Sequence, residues 1–242
     1  LGRRIEETRG PPEWVWWAQL LSRSGNTDEA DRAFERAKQL APHVPQITLA
    51  QIIYLVRTNR NSEARKQLEE LGAVLKKDVP SLRVLALGYE AVGDIQHAEQ
   101  CFRRAMDEAP QDADLLLDWA GFSLRQGRLR ECQAALERIV AASGNNLVVS
   151  EETLRNARRN LAQLLAKSAD YRDFQRARSL LEENLKQAAQ ITDRCLLARV
   201  LANRPERAAK QEVADIYQKL LREGVSLSAE DRFVYAQILA VL

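Results

Sequence analysis

Ala30, Ala64, Ala98 and Cys132 stand 34 residues apart, and each is a small residue. Four positions after each comes a larger apolar one, Phe34, Leu68, Phe102 or Leu136, and five positions before each comes Gly25, Asn59, Gly93 or Gly127. Three columns on one period constrain this chain more than any bulk property, because self-similarity at a fixed spacing marks stacked structural units. The columns also describe the unit. A small side chain lets two antiparallel helices approach, and the Phe or Leu one turn later fills the groove between them. Gly or Asn tolerates the left-handed backbone that ends a first helix. Pro42 and Pro110 then stop the second helix of their units.

The first unit carries Trp14, Trp17, Ala18, Leu21, Ala30, Phe34, Ala37 and Pro42, and the third carries Leu82, Leu85, Ala86, Tyr89, Ala98, Phe102, Ala105 and Pro110. This pattern resembles the tetratricopeptide repeat family, whose units run aromatic, Leu-Gly, Tyr, Ala, Phe and Pro. The resemblance implies an all-α fold, a right-handed superhelical array of antiparallel helix pairs, or α-solenoid. The second unit departs from the pattern, with Gln51 and Ile52 at the Leu-Gly columns and a second helix expected to run on to about Lys77. After Ser143 the register loosens. A polar link, Gly144-Asn145-Asn146, leads to a helix expected over 150–168, started by Ser150 with Glu152 and Thr153. Leu161, Ala162, Ala177 and Leu181 then fill the packing columns of a fifth unit. Leu197, Ala198 and Leu201 with Val213, Tyr217 and Leu220 fill those of a sixth, whose second helix is expected to begin at Pro205. The expected organisation is residues 1–10 as the tail of a preceding helix or an extension, 11–144 as four units, 145–227 as two divergent units, and 228–242 as a further first helix or a cap. Both ends read as cut from something longer, since an array normally closes on a polar-faced cap.

Composition removes several function classes. Lys plus Arg total 36 against 34 Asp plus Glu, a net charge of +2, so no global field draws the chain to nucleic acid or an anionic membrane. Only 8 of the cations are Lys, a bias that a GC-rich coding sequence explains without a binding role. No apolar run is long enough for membrane insertion. Cys101, Cys132 and Cys195 are odd in number and far apart, which suggests neither a disulfide framework nor a zinc site. Unpaired cysteines favour a cytoplasmic location.

Catalysis needs converging acids, bases or nucleophiles, and the motifs that supply them are missing. His43 and His97 are the only histidines, each near a turn and read as solvated. His97 and Cys101 make the one helical pair of metal-ligand type, with no second pair beside it. No cofactor and no metal is expected. The arginines at 155, 158, 159, 172, 176 and 178 form a cluster suited to phosphates, or a solvated face balanced by Glu151, Glu152 and Asp173.

The family resemblance implies that the first helices line a concave groove. Carried over column by column, it gives an apolar stretch with Trp16, Leu49, Ile53, Val84, Leu87 and Leu117, and a polar stretch with Arg159, Asn160 and Gln163. Such a groove suits a peptide or amphipathic helix of a partner protein, with Trp16 as anchor. The alternative is that facing first helices bury the apolar columns against one another. Chaperone-tail binders of the family carry Lys and Asn where this chain has Val15 and Gln19, Leu49 and Ile53, Arg83 and Leu87. That clamp is absent. The reading is a non-catalytic protein-interaction scaffold, with no nucleic acid expected and no oligomeric state fixed. Its alternatives are a nucleic-acid-binding helical repeat, against which the 34-residue period and apolar columns argue, and the interaction domain of an enzyme whose catalytic part lies elsewhere.

Overall fold

The structure, a computed structural model, describes residues 10–141 and 149–242. Among them are thirteen α-helices and no β-strand. They are α1 (Pro11–Arg23), α2 (Thr27–Leu40), α3 (Pro45–Arg57), α4 (Asn61–Val74), α5 (Val79–Ala91), α6 (Ile95–Glu108), α7 (Ala113–Arg125), α8 (Leu129–Val140), α9 (Glu151–Leu165), α10 (Tyr171–Gln187), α11 (Ile191–Ala202), α12 (Arg207–Arg222) and α13 (Ala229–Leu239). Odd-numbered helices are the first members of pairs and even-numbered ones the second. The chain divides into two compact bodies at Pro110 and Gln111.

Each pair closes as the columns require. Ala30, Ala64, Ala98 and Ala177 are 0% exposed and Cys132 is 1% exposed, and Phe34, Phe102, Leu136 and Leu181 beside them are fully buried. Asn59 has φ 60°, and Gly25, Gly93 and Gly127 lie between 73° and 84°, each just past the end of a first helix. There the chain reverses through a six-to-one hydrogen bond, as from Asn26 N–H to the Leu21 carbonyl and from Asp94 N–H to the Tyr89 carbonyl. Gly224 closes α12 by the same geometry, with φ 78° and Val225 N–H on the Leu220 carbonyl.

Helix starts follow local chemistry too. Prolines open α1, α3 and α5, while side chains of Asp78, Asp94, Asp112, Ser150, Asp170 and Ser228 accept from backbone N–H groups in the first turns of their helices. Three expected boundaries are corrected. The second helix of the second pair ends at Val74 rather than near Lys77, because Leu75 turns extended and Asp78 already caps α5 through Ser81 N–H. The helix after the link ends at Leu165 rather than Ser168. Pro205 lies outside α12, whose N-cap is Glu206. The Gly144-Asn145-Asn146 link and residues 1–9 lie outside the described residues.

In the N-terminal body, Gln51 and Ile52 take over the departed Leu-Gly columns. Ile52 is fully buried, and the Gln51 amide, 4% exposed, reaches out to Glu35 at 3.3 Å. Tyr54 stacks obliquely on Phe34 of the preceding pair, ring centres 5.0 Å apart, and donates its hydroxyl to the Thr27 carbonyl. Arg60 bridges α2 and α4 by holding Asp31 at 2.7 Å and Glu63 at 2.6 Å. The divergent pairs of the C-terminal body pack equally well. Leu161, Ala162, Ala198, Leu201, Val213, Tyr217 and Leu220 are all fully buried.

Candidate functional site

In the N-terminal body the expected groove residues separate into two kinds. Leu49 and Val84 are 8% and 5% exposed and belong to the core, because α3 and α5 pack directly on each other. At Gly88 of α5 an added Cβ would stand 2.6 Å from Leu68 Cδ1 of α4 and 3.7 Å, an ordinary contact, from Leu49 Cδ1 of α3. Of the two readings of the apolar columns, Leu49 and Val84 follow the one in which first helices bury them against one another. Ile53 and Leu87 are half-buried at the edge of that core.

Trp16 is 64% exposed. Its column is informative, since Val84 stands two 34-residue periods later and is buried against the preceding pair. Trp16 and, one turn on, the exposed Leu20 thus occupy columns that later pairs use for stacking. Trp14 and Trp17, by contrast, are half-buried against the core, as their packing columns require.

In the C-terminal body Leu117 is half-buried, and Asn160 and Gln163 are exposed on α9. Arg159 is not a free donor. Its Nε meets Asp193 Oδ1 at 2.5 Å, Nη2 meets Oδ2 at 2.7 Å, and Nη1 meets Asn156 Oδ1 at 3.2 Å. Asp193 is fully buried and also accepts from Asn184 Nδ2 at 3.2 Å, so the network ties α9, α10 and α11 together. One pair further on the device recurs. Arg199 meets Asp231 at 3.0 Å and Glu230 at 2.7 Å, while Tyr217 and Ser228 hydroxyls donate to Asp231. Burial first, and the Asp231 carboxylate second, push the Tyr217 phenol well above its ordinary range.

The arginine cluster is largely balanced by carboxylates. Arg158 pairs with Glu183, Arg176 with Glu137, and Arg178 with Glu182 and Glu212. His97 is exposed and turned onto Asp94 at 2.8 Å, and burial raises the thiol of Cys101, as it does those of Cys132 and Cys195. Raised thiols are poor nucleophiles at neutral pH. Among the described residues no three His, Cys, Asp or Glu side chains are grouped to hold a metal ion, and no helix is long and apolar enough to cross a membrane.

What the C-terminal body does present is an open cleft on its first helices. Gln163 of α9, Lys167 just past its end, Leu196, Arg199 and Val200 of α11 and Glu230 of α13 line about 270 Å³ of it. A second part of about 410 Å³ shares Arg199, Asn203 and Glu230 and adds Lys210, Gln237 and Ile238. Of these, the sequence columns anticipated Gln163. They gave no sign of Asn203, which directly follows α11, or of Lys210, in the first turn of α12.

These features define an α-helical repeat protein built of stacked antiparallel pairs. The tetratricopeptide repeat family matches residues 6–141, more than half of the chain, and the chain belongs to that family. Human tetratricopeptide repeat protein 7A is 36% identical over 88 residues, covering 36% of this chain and 10% of that protein. The chain thus spans about a tenth of that relative's length. A tetratricopeptide repeat protein from Parabacteroides merdae superposes with a TM-score of 0.56 at 12% identity, covering 96% of this chain and 86% of the other. The Pseudomonas aeruginosa pilF structure gives 0.52 at 16% identity, over 96% and 83%. The anaphase-promoting-complex assembly Cut9–Hcn1 gives 0.56 at 11% identity, over 95% of this chain and 43% of that one. At such identities the likeness is one of fold. Proteins of this family generally mediate protein–protein interaction and are generally non-catalytic.

Proposed function

We propose that this chain is a non-catalytic scaffold that holds a peptide or amphipathic helix of a partner protein along its first helices. The observation that carries the reading is the cleft across α9, α11 and α13, which has an apolar lining with Val234 and Val241 accessible and a rim of polar side chains. A site that is concave, part apolar and edged by donors is the usual shape of a peptide seat. Leu117, Asn160 and Gln163 extend the contact surface of this body, and Arg159 supports it by fixing α9 on α11. On the N-terminal body the side chains open to a partner helix are Trp16, Ile53 and Leu87, and the first of these offers the largest exposed anchor.

The test is selection of peptides from a random library on the immobilised chain, followed by hydrogen-exchange footprinting of the bound state. Protection should fall on α9, α11 and α13, and Ala166→Trp, which fills the cleft from its lining, should abolish binding with helicity retained. Footprints confined to the second helices α10 and α12, or binding that survives Ala166→Trp, would overturn the reading.

A further inference from the structure

The chemistry of the cleft selects among partners. Arg199, its most central cation, is already engaged by Glu230 and Asp231. Lys167 in one part of the cleft and Lys210 in the other make no ion pair with any described residue. Asn203, exposed where the two parts meet, and Gln163 and Gln237 at the edges add amide donors. Glu230 is the single carboxylate on the lining among the described residues, and Arg199 holds it. The surface therefore presents two unneutralised ammonium groups beside an apolar lining whose accessible members are Val234 and Val241, over the buried Leu196, Val200 and Ile238. Complementarity of that kind steers a negatively charged partner and rejects a positive one.

We propose that the cleft takes an acidic segment of a partner protein, whose carboxylates meet Lys167 and Lys210 while its apolar side chains rest on Val234 and Val241. This rests on the peptide-scaffold reading above and adds the partner's chemistry. Single-stranded nucleic acid is a second polyanion, but it relies on aromatic side chains for stacking. No aromatic residue lines either part of the cleft among the described residues.

The experiment measures binding of fluorescein-labelled peptide pools of about 12 residues, long enough for an extended or helical peptide ligand. Three pools share Leu and Ser and differ in carrying Glu, Gln or Lys. The acidic pool should bind tightest, and its affinity should fall as salt rises from about 50 to about 300 mM, because exposed charges are screened. The double variant Lys167→Glu with Lys210→Glu should weaken the acidic pool at least about tenfold and improve the Lys pool, since two attractive contacts become repulsive. Glu230→Gln should strengthen the acidic pool, an effect that a merely structural role for the lining would not produce. Equal, salt-insensitive binding of the Glu and Gln pools that Ala166→Trp abolishes would overturn the acidic chemistry and leave the scaffold reading standing. Binding of no pool, or binding that ignores Ala166→Trp, would overturn both. Tighter binding of an oligouridylate of matched length, lost in the lysine double variant, would overturn the choice of a protein partner.

Discussion

Asp193 is a single buried carboxylate on which three helices of the C-terminal body converge. It is fully buried, accepts two hydrogen bonds from the Arg159 guanidinium and one from the Asn184 amide, and so joins three helices. Asp193→Ala removes every one of those acceptors at once. The Arg159 side chain, only 16% exposed, is then left as a charge with little water to replace its partner. Breaking a buried pair from one side costs about 3–5 kcal/mol. The upper half of that range is expected here, because Asn184 loses an acceptor as well. The network ties neighbouring pairs, so the damage should appear first as faster amide exchange in α9, α10 and α11, and then as a lower urea midpoint by circular dichroism. Replacing both partners with apolar residues of similar size, Arg159→Met with Asp193→Leu, should recover much of the loss, since no stranded charge remains. The reasoning fails if Asp193→Ala lies within about 1 kcal/mol of the parent, the range of an exposed pair, or if the double variant is less stable than Asp193→Ala alone.

Two further outcomes follow from the packing. Ala98→Leu should overpack the α5–α6 crossing and lower stability by about 1–3 kcal/mol in a urea titration, since Ala98 is 0% exposed; an unchanged midpoint would place the crossing elsewhere. Trp16→Ala should leave the thermal midpoint nearly unchanged because the side chain is 64% exposed, whereas Trp17→Ala, half-buried on the core, should lower stability by about 2–3 kcal/mol; equal losses would refute the assignment of the two tryptophans to different columns.

The helix pairs were legible because each column states a local physical requirement. Ala98 and Cys132 must be small for helices to cross, and Gly93 and Asn59 must accept a positive φ, so spacing alone located the crossings and turns. The boundaries that moved are those where two local signals compete. Lys76 and Lys77 continue a helix on propensity, but the Asp78 cap and Pro80 begin the next one, and the chain between them must turn. Pro205 is compatible with a first helical turn and equally with the residue before an N-cap, and sequence does not separate the two.

The site was legible only in part, because a column fixes which way a side chain points and not what stands opposite. Leu49 and Val84 point where a groove residue would. The packing of α5 on α3 then takes both into the core. Arg159 read as a donor for a ligand, yet the acceptor that claims it, Asp193, lies 34 residues on, at the start of the next first helix. A periodic protein makes this pairing recur. The Arg199 guanidinium likewise meets Asp231, 32 residues on at the start of the following first helix. The charged groups that repeat with the units are thus taken by the array itself, and Lys167 and Lys210, which have no repeating carboxylate to meet, are left to face whatever the cleft holds.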